Sequence, residues 1–117
     1  AGNAGLELTA DASEASLLDA VVVGAADEYG KRTRFSNYGS SVDAYIYGKP
    51  SPAIKAGGGY GHFSGTSLSA AVASGYFALL LSATPSLTLD QLVSQLQIAQ
   101  FGSQVIPSSP PIHLRDL

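Results

Sequence analysis

Residues 67–82 carry no charged side chain and, apart from Gly75, nothing that breaks a helix. Leu68, Ala71, Val72, Gly75 and Leu79 are distributed around the helical turn so that almost no polar face is left. A helix of that kind holds together in water only if other elements cover it, so the sequence predicts a central helix. Its first half is built of small residues, Ser69, Ala70, Ala71, Ala73, Ser74 and Gly75, which let neighbouring backbones approach closely. Phe77, Leu79, Leu80 and Leu81 fill volume further along. The apolar run from 75 to 81 is shorter than the ~20 residues needed to cross a bilayer, and no basic-then-apolar leader opens the chain. No membrane partner is expected.

The other segments make the same demand for cover. Ala20-Val21-Val22-Val23-Gly24-Ala25 is a short β-branched run bounded by polar residues, the pattern of a strand buried on both faces of a parallel sheet. Val42-Asp43-Ala44-Tyr45-Ile46-Tyr47 alternates and predicts an edge strand. Residues 48–65 hold six Gly and two Pro, from which an irregular surface connection is expected. Thr84-Pro85-Ser86 ends the apolar helix. Thr88 with Gln91 forms a capping-box pattern that opens a second one, apolar at Leu89, Leu92, Val93 and Leu96. Residues 2–19 read as a loop with one short turn near 13–18, and the stretch from Gly102, with Pro107, Pro110 and Pro111, as extended irregular chain. Two strands and two helices leave several apolar faces without a partner. A parallel strand also needs crossover-connected neighbours. The chain is therefore expected to be the C-terminal part of a larger α/β domain.

Composition removes several classes of function. Nine acidic against six basic residues give a formal charge of −3, and beyond the short group Lys31, Arg32 and Arg34 the basic residues stand singly. That is no footprint for a phosphate backbone, so nucleic acid is not an expected partner. Charged residues make up 13% of the 117, against about 25% in typical soluble domains. Much of the surface is thus meant to be buried. With no Cys, disulfides, thiolate metal sites and cysteine nucleophiles are excluded by counting.

The sharpest local feature is Gly65-Thr66-Ser67, between a glycine-rich stretch and the start of the apolar helix. Free backbone N–H groups and the helix macrodipole favour negative charge at such a position. An attacking Ser67 hydroxyl would there sit beside a donor suited to a developing oxyanion. The competing reading of Ser67 is a plain helix cap, a role Ser and Thr often take.

The segment Gly65-Thr66-Ser67-Leu68-Ser69-Ala70-Ala71-Val72-Ala73-Ser74-Gly75 resembles the catalytic-serine motif of the subtilisin-like serine proteases. Ala1-Gly2-Asn3-Ala4-Gly5 is similar to the family's segment bearing the oxyanion-hole asparagine. Val21-Val22-Val23-Gly24-Ala25, through Phe35-Ser36-Asn37-Tyr38-Gly39 to Val42-Asp43 and Gly48, follows its next block. Order and approximate spacing match over nearly the whole chain, most weakly after Gln100, and three ordered blocks are far more specific than a lone Gly-Thr-Ser.

The resemblance implies the C-terminal portion of a subtilisin-like three-layer α/β domain, with a largely parallel sheet and a central buried helix starting at Ser67. Residues 1–117 would then be part of one serine endopeptidase domain acting on polypeptides. Ser67 would be the nucleophile that forms an acyl-enzyme. The Asn3 side-chain amide, with the Ser67 backbone N–H, would bind the tetrahedral oxygen. Gly65 and Thr66 would line the substrate site. The family's aspartate and histidine precede the asparagine and would lie before Ala1, on an N-terminal portion supplied by a continuous parent chain or a nicked partner. Family members in bacteria are mostly exported, so a secreted or cell-envelope location is expected. No cofactor is implied. Structural calcium occurs in some full domains, but Asp27, Glu28 and Asp43 lack ligand-loop spacing and read as solvated turn acids.

Where many family members have Pro and His after the serine motif, this chain has Ala71 and Val72, a change that reads as repacking. His62 falls on no family role and reads as a loop or pocket-rim residue, and His113 as part of the tail. Gly57-Gly58-Gly59-Tyr60-Gly61 lacks the Lys of a phosphate-binding loop and reads as a flexible loop near the substrate cleft. Tyr45, Tyr47 and Tyr60 suit core edges or subsite walls equally well. Two alternatives stand beside the enzyme: a catalytically inactive scaffold that keeps the fold with Ser67 as a cap, and an unrelated helix-rich module that folds alone.

Overall fold

The computed structural model of the chain describes residues 1–9 and 20–102. The turn expected near 13–18 and the tail with His113 lie outside the described residues.

Strand β1, Val23–Ala26, pairs in parallel with β2, Ala44–Tyr47, with Val23 opposite Ala44 and Ala26 opposite Tyr47. Every β1 residue is buried and β2 alternates, as the two sequence patterns require. Asp43 pins the start of the pair. Its Oδ2 accepts the Val22 N–H at 2.7 Å, and its own N–H donates to the Val22 carbonyl at 2.8 Å. A Cβ on Gly24 would come within 2.6 Å of the Tyr45 ring, so only glycine lets that ring lie over the strand.

The connection expected to be irregular is a hairpin. Strand β3, Ser51–Ile54, runs antiparallel to β4, Tyr60–Phe63, with Pro52 opposite His62 and Ile54 opposite Tyr60. Both are only four residues long, and the glycines gather in the turn, where Gly57, Gly58 and Gly59 all take positive φ. Composition counted over the whole segment hid this concentration of turn chemistry in one place. His62 stands exposed on β4.

Helix α1, Thr66–Ala83, and helix α2, Leu89–Gly102, follow. The expected capping box opens α2: the Thr88 N–H donates to Gln91 Oε1 at 2.9 Å, and the Gln91 N–H donates back to Thr88 Oγ1 at 3.3 Å. Gln97 on α2 donates to the Asp43 carbonyl at 2.9 Å, which ties α2 to the start of β2. The core gathers Val23, Ala44, Ile46, Ala73 and Leu96, with Val21, Val72, Tyr76 and Phe77 packed against it. Both helices thus lie against the parallel pair.

Cover on α1 is one-sided, which differs from the helix buried all round that its sequence predicts. Thr66, Ser69 and Ala73 are buried, while Ala70, Ala71, Ser74, Gly75 and Ala78 are exposed. At 18 residues α1 is long and apolar enough to cross a membrane by length and composition, yet here its buried side packs on a sheet. The open face is the small-residue one, shaped for close backbone contact.

Candidate active site

The head of α1 is held by the end of β2. Gly65 donates its N–H to the Gly48 carbonyl at 2.9 Å, and Ser69 Oγ donates to the Ile46 carbonyl at 2.9 Å. Gly48 permits this approach: a Cβ there would fall 2.5 Å from Ser69 Oγ, 2.6 Å from Ala25 Cβ and 2.9 Å from the Gly65 carbonyl. Ser69 is fully buried, so a small polar residue within the apolar helix is the anchor that fixes its position.

Gly65 is the N-cap, with φ 130° and ψ 169°, and as a glycine it offers no side-chain acceptor of its own to the helix head. Ser67 is the second residue of α1, so it is not the cap that its position before an apolar run suggested. It is exposed, and among the described residues its hydroxyl has no hydrogen-bond partner. No acidic side chain occupies the first turn, so the partial positive charge of the helix N-terminus is not neutralised there.

Residues 1–6 run beside this turn. The Thr66 N–H donates to Asn3 Oδ1 at 2.9 Å, and the Gly2 N–H donates to Thr66 Oγ1 at 3.1 Å. An N–H can only donate to the oxygen of an amide, so the orientation of the Asn3 side chain is fixed by chemistry. Its Nδ2 is the end left over, and among the described residues it makes no hydrogen bond. Gly65 adjoins the same amide, since a Cβ built on it would lie 3.5 Å from Asn3 Nδ2. The structure thus brings Asn3, Gly65 and Thr66 into one cluster at the helix head that carries Ser67. An amide N–H donor and backbone N–H groups at a helix N-terminus are the kinds of group that stabilise a tetrahedral oxyanion.

Other candidates stand elsewhere. His62 faces Pro52 across the hairpin. Asp27 Oδ1 accepts the N–H groups of Tyr29 and Lys31, both at 2.9 Å, closing its own turn, and Asp43 serves β1. Among the described residues no three His, Asp or Glu side chains could share a metal ion. Ala71 is exposed, whereas Val72 packs against the core. Sequence reasoning named Ser69 only as one of several small helix residues and Gly48 only as part of a matching block, and it gave neither a contact at the site. Their signals were weak, a glycine ending an alternating strand and one serine among several in a helix.

The chain is similar to known proteins in sequence and in fold. The family model described as the Subtilase family, peptidase S8, matches residues 1–101. A thermophilic serine proteinase of Bacillus sp. (strain AK1) is 38% identical over 82 residues, covering 70% of this chain and 20% of the relative. The alkaline elastase YaB of Bacillus sp. (strain YaB) is 31% identical over 96 residues, 75% of this chain and 25% of the relative. A cold-adapted subtilisin-like serine proteinase superposes with a TM-score of 0.73 at 34% identity, covering 83% of this chain and 35% of that one. The chain therefore spans between a fifth and a quarter of the curated relatives it matches. The family model over residues 1–101 and these relatives show that the chain belongs to the subtilase family.

Proposed function

We propose that this chain supplies the nucleophile and the oxyanion hole of a serine endopeptidase. The observation that carries the reading is the bond from the Thr66 N–H to Asn3 Oδ1, because it leaves the Asn3 Nδ2 donor unpaired at the head of the helix that holds Ser67.

In this mechanism Ser67 Oγ adds to a peptide carbonyl carbon, and its proton passes to a base. The carbonyl oxygen becomes anionic and accepts hydrogen bonds from Asn3 Nδ2 and the Ser67 N–H. Collapse expels the amine, protonated by the same base, and leaves an ester on Ser67 that water hydrolyses. The base is a histidine oriented by an aspartate, both on an N-terminal portion of the same peptidase domain. That portion joins this one in a continuous chain or as a nicked partner. The apolar face of α1 left open here, Ala70, Ala71, Ser74, Gly75 and Ala78, is the surface on which it packs. Gly65 and Thr66 line the substrate site. The substrate is polypeptide, the location secreted or cell-envelope, and the chemistry needs no cofactor.

Hydrolysis of a chromogenic peptide amide by the full-length protein tests the reading. Steady turnover abolished by Ser67→Ala supports it. A folded protein with no turnover above background, with or without Ser67→Ala, is instead a scaffold that keeps the fold without the catalysis, and turnover that survives Ser67→Ala excludes Ser67 as the nucleophile.

A further inference from the structure

The loop that carries Asn3 has no helix or strand of its own to hold its shape, so its position depends on bonds to other segments. Gly2 and Gly5 flank the asparagine with positive φ, and Asn3 and Ala4 are exposed. An oxyanion donor is effective only if held within about 0.5 Å of its productive position. Something must therefore fix the backbone on both sides of Asn3.

Asn37 does so from four directions. Its Oδ1 accepts the N–H groups of Ala4 at 3.2 Å and Leu6 at 2.9 Å, and its Nδ2 donates to the Ala1 carbonyl at 2.9 Å. Its backbone N–H donates to the Gly2 carbonyl at 2.9 Å. The contacts fall on residues 1, 2, 4 and 6, on both sides of Asn3, and leave the Asn3 side chain itself untouched. Gly2 makes room for the clamp, since a Cβ there would lie 2.5 Å from Asn37 Nδ2. Asn37 is buried and is itself tied to β1: Ser36 Oγ donates to the Asn37 carbonyl at 2.9 Å and accepts the Ala25 N–H at 2.9 Å. A rigid strand is thus linked through Ser36 and Asn37 to a glycine-rich loop and to the exposed amide at its tip.

We infer that Asn37 is a positioning residue for the oxyanion donor, setting where the Asn3 amide stands without touching substrate. The inference rests on the reading of Asn3 as that donor. Replacing Asn37 by Ala removes three of the four contacts. The loop keeps its bonds to Thr66, to the Phe35 carbonyl and to the Tyr38 N–H. It stays attached but loses its register. Transition-state binding then suffers more than ground-state binding, so kcat falls while KM holds.

The test is a double-mutant cycle in the full-length protease with a chromogenic peptide amide, using Asn3→Ala, Asn37→Ala and the double variant. Asn37→Ala is expected to lower kcat at least tenfold with KM within twofold, and to lower it no more than twofold further in the Asn3→Ala background. If Asn37→Ala does not accumulate as folded protein, the cycle is read with Asn37→Asp, which keeps both acceptor contacts and the volume. It is expected to lower kcat by a smaller factor, again non-additively with Asn3→Ala. Equal losses in both backgrounds, or a lowered melting temperature with kcat within twofold, overturn the inference. An Asn3→Ala variant that loses kcat while Asn37→Ala does not would remove only the positioning role. If Asn3→Ala itself leaves kcat within twofold, the oxyanion-hole reading fails and the positioning role with it.

Discussion

Thr66 and Asn3, 63 positions apart, are joined by a 2.9 Å hydrogen bond from the Thr66 N–H to Asn3 Oδ1. That bond uses the amide oxygen of Asn3 and leaves its NH2 group without a partner among the described residues. Substituting Asn3 by Ala removes the donor and should lower kcat by about 10²–10³, the loss measured for single oxyanion donors, with little change in KM. Steady-state kinetics on a peptide amide give the answer. A rise in KM at constant kcat would mean that Asn3 only binds substrate.

Gly65 occupies a backbone region that is essentially glycine's own, at φ 130° and ψ 169°. An alanine there has room, because its nearest neighbours are the Asn3 amide atoms at 3.5 Å and beyond, so strain alone decides the outcome. Gly65→Ala should destabilise the full-length protein by about 1–3 kcal/mol. It should also lower kcat, because the turn it distorts carries Thr66 and Ser67. Chemical denaturation and kinetics on the same sample read both effects.

Gly48 and Ser69 should be coupled. Gly48→Ala drives a methyl into Ser69 Oγ, Ala25 and the Gly65 carbonyl, an overpacking that costs about 1–3 kcal/mol. Ser69→Ala leaves the buried Ile46 carbonyl without its side-chain donor, at about 1–3 kcal/mol. The double variant relieves part of the clash, so its loss of stability should be smaller than the sum of the two. Strict additivity in denaturant titrations would show that the contact between them carries nothing.

The open face of α1 predicts how the chain behaves by itself. Ala70, Ala71, Ser74, Gly75 and Ala78 present a contiguous small apolar surface once no partner covers it. The 117-residue chain alone should bind an apolar fluorescent dye and unfold without a sharp transition. Mixing it with the Asp- and His-bearing portion should quench the dye. A chain that unfolds cooperatively on its own and ignores the dye would point to a self-sufficient module.

Much of the fold was legible because its signals are local. The β-branched run ending in Gly24-Ala25, the alternation at Val42 to Tyr47 and the Thr88/Gln91 capping box each declare their structure within a few residues. The hairpin from Ser51 to Phe63 was not legible, because four-residue strands carry too little periodicity and the glycines read as a loop. Ser67 and Asn3 could be singled out by resemblance, but the contacts that hold them could not. Gly48, Ser69 and Asn37 act through close approaches between segments 17 to 36 positions apart, as in Gly48 with Gly65 and Asn37 with Ala1, and no local pattern encodes such distances. Burial of α1 was read from its composition, and only the structure shows which of its faces this chain covers.

The exposed hydroxyl at the head of α1 should behave as an activated nucleophile. Labelling of the full-length protein with a fluorophosphonate, with the adduct mapped by mass spectrometry, reads this out. One adduct is expected, on Ser67, lost when the protein is unfolded before labelling and absent in Ser67→Ala. An unmodified Ser67 in folded protein, or an adduct elsewhere that survives Ser67→Ala, would contradict it.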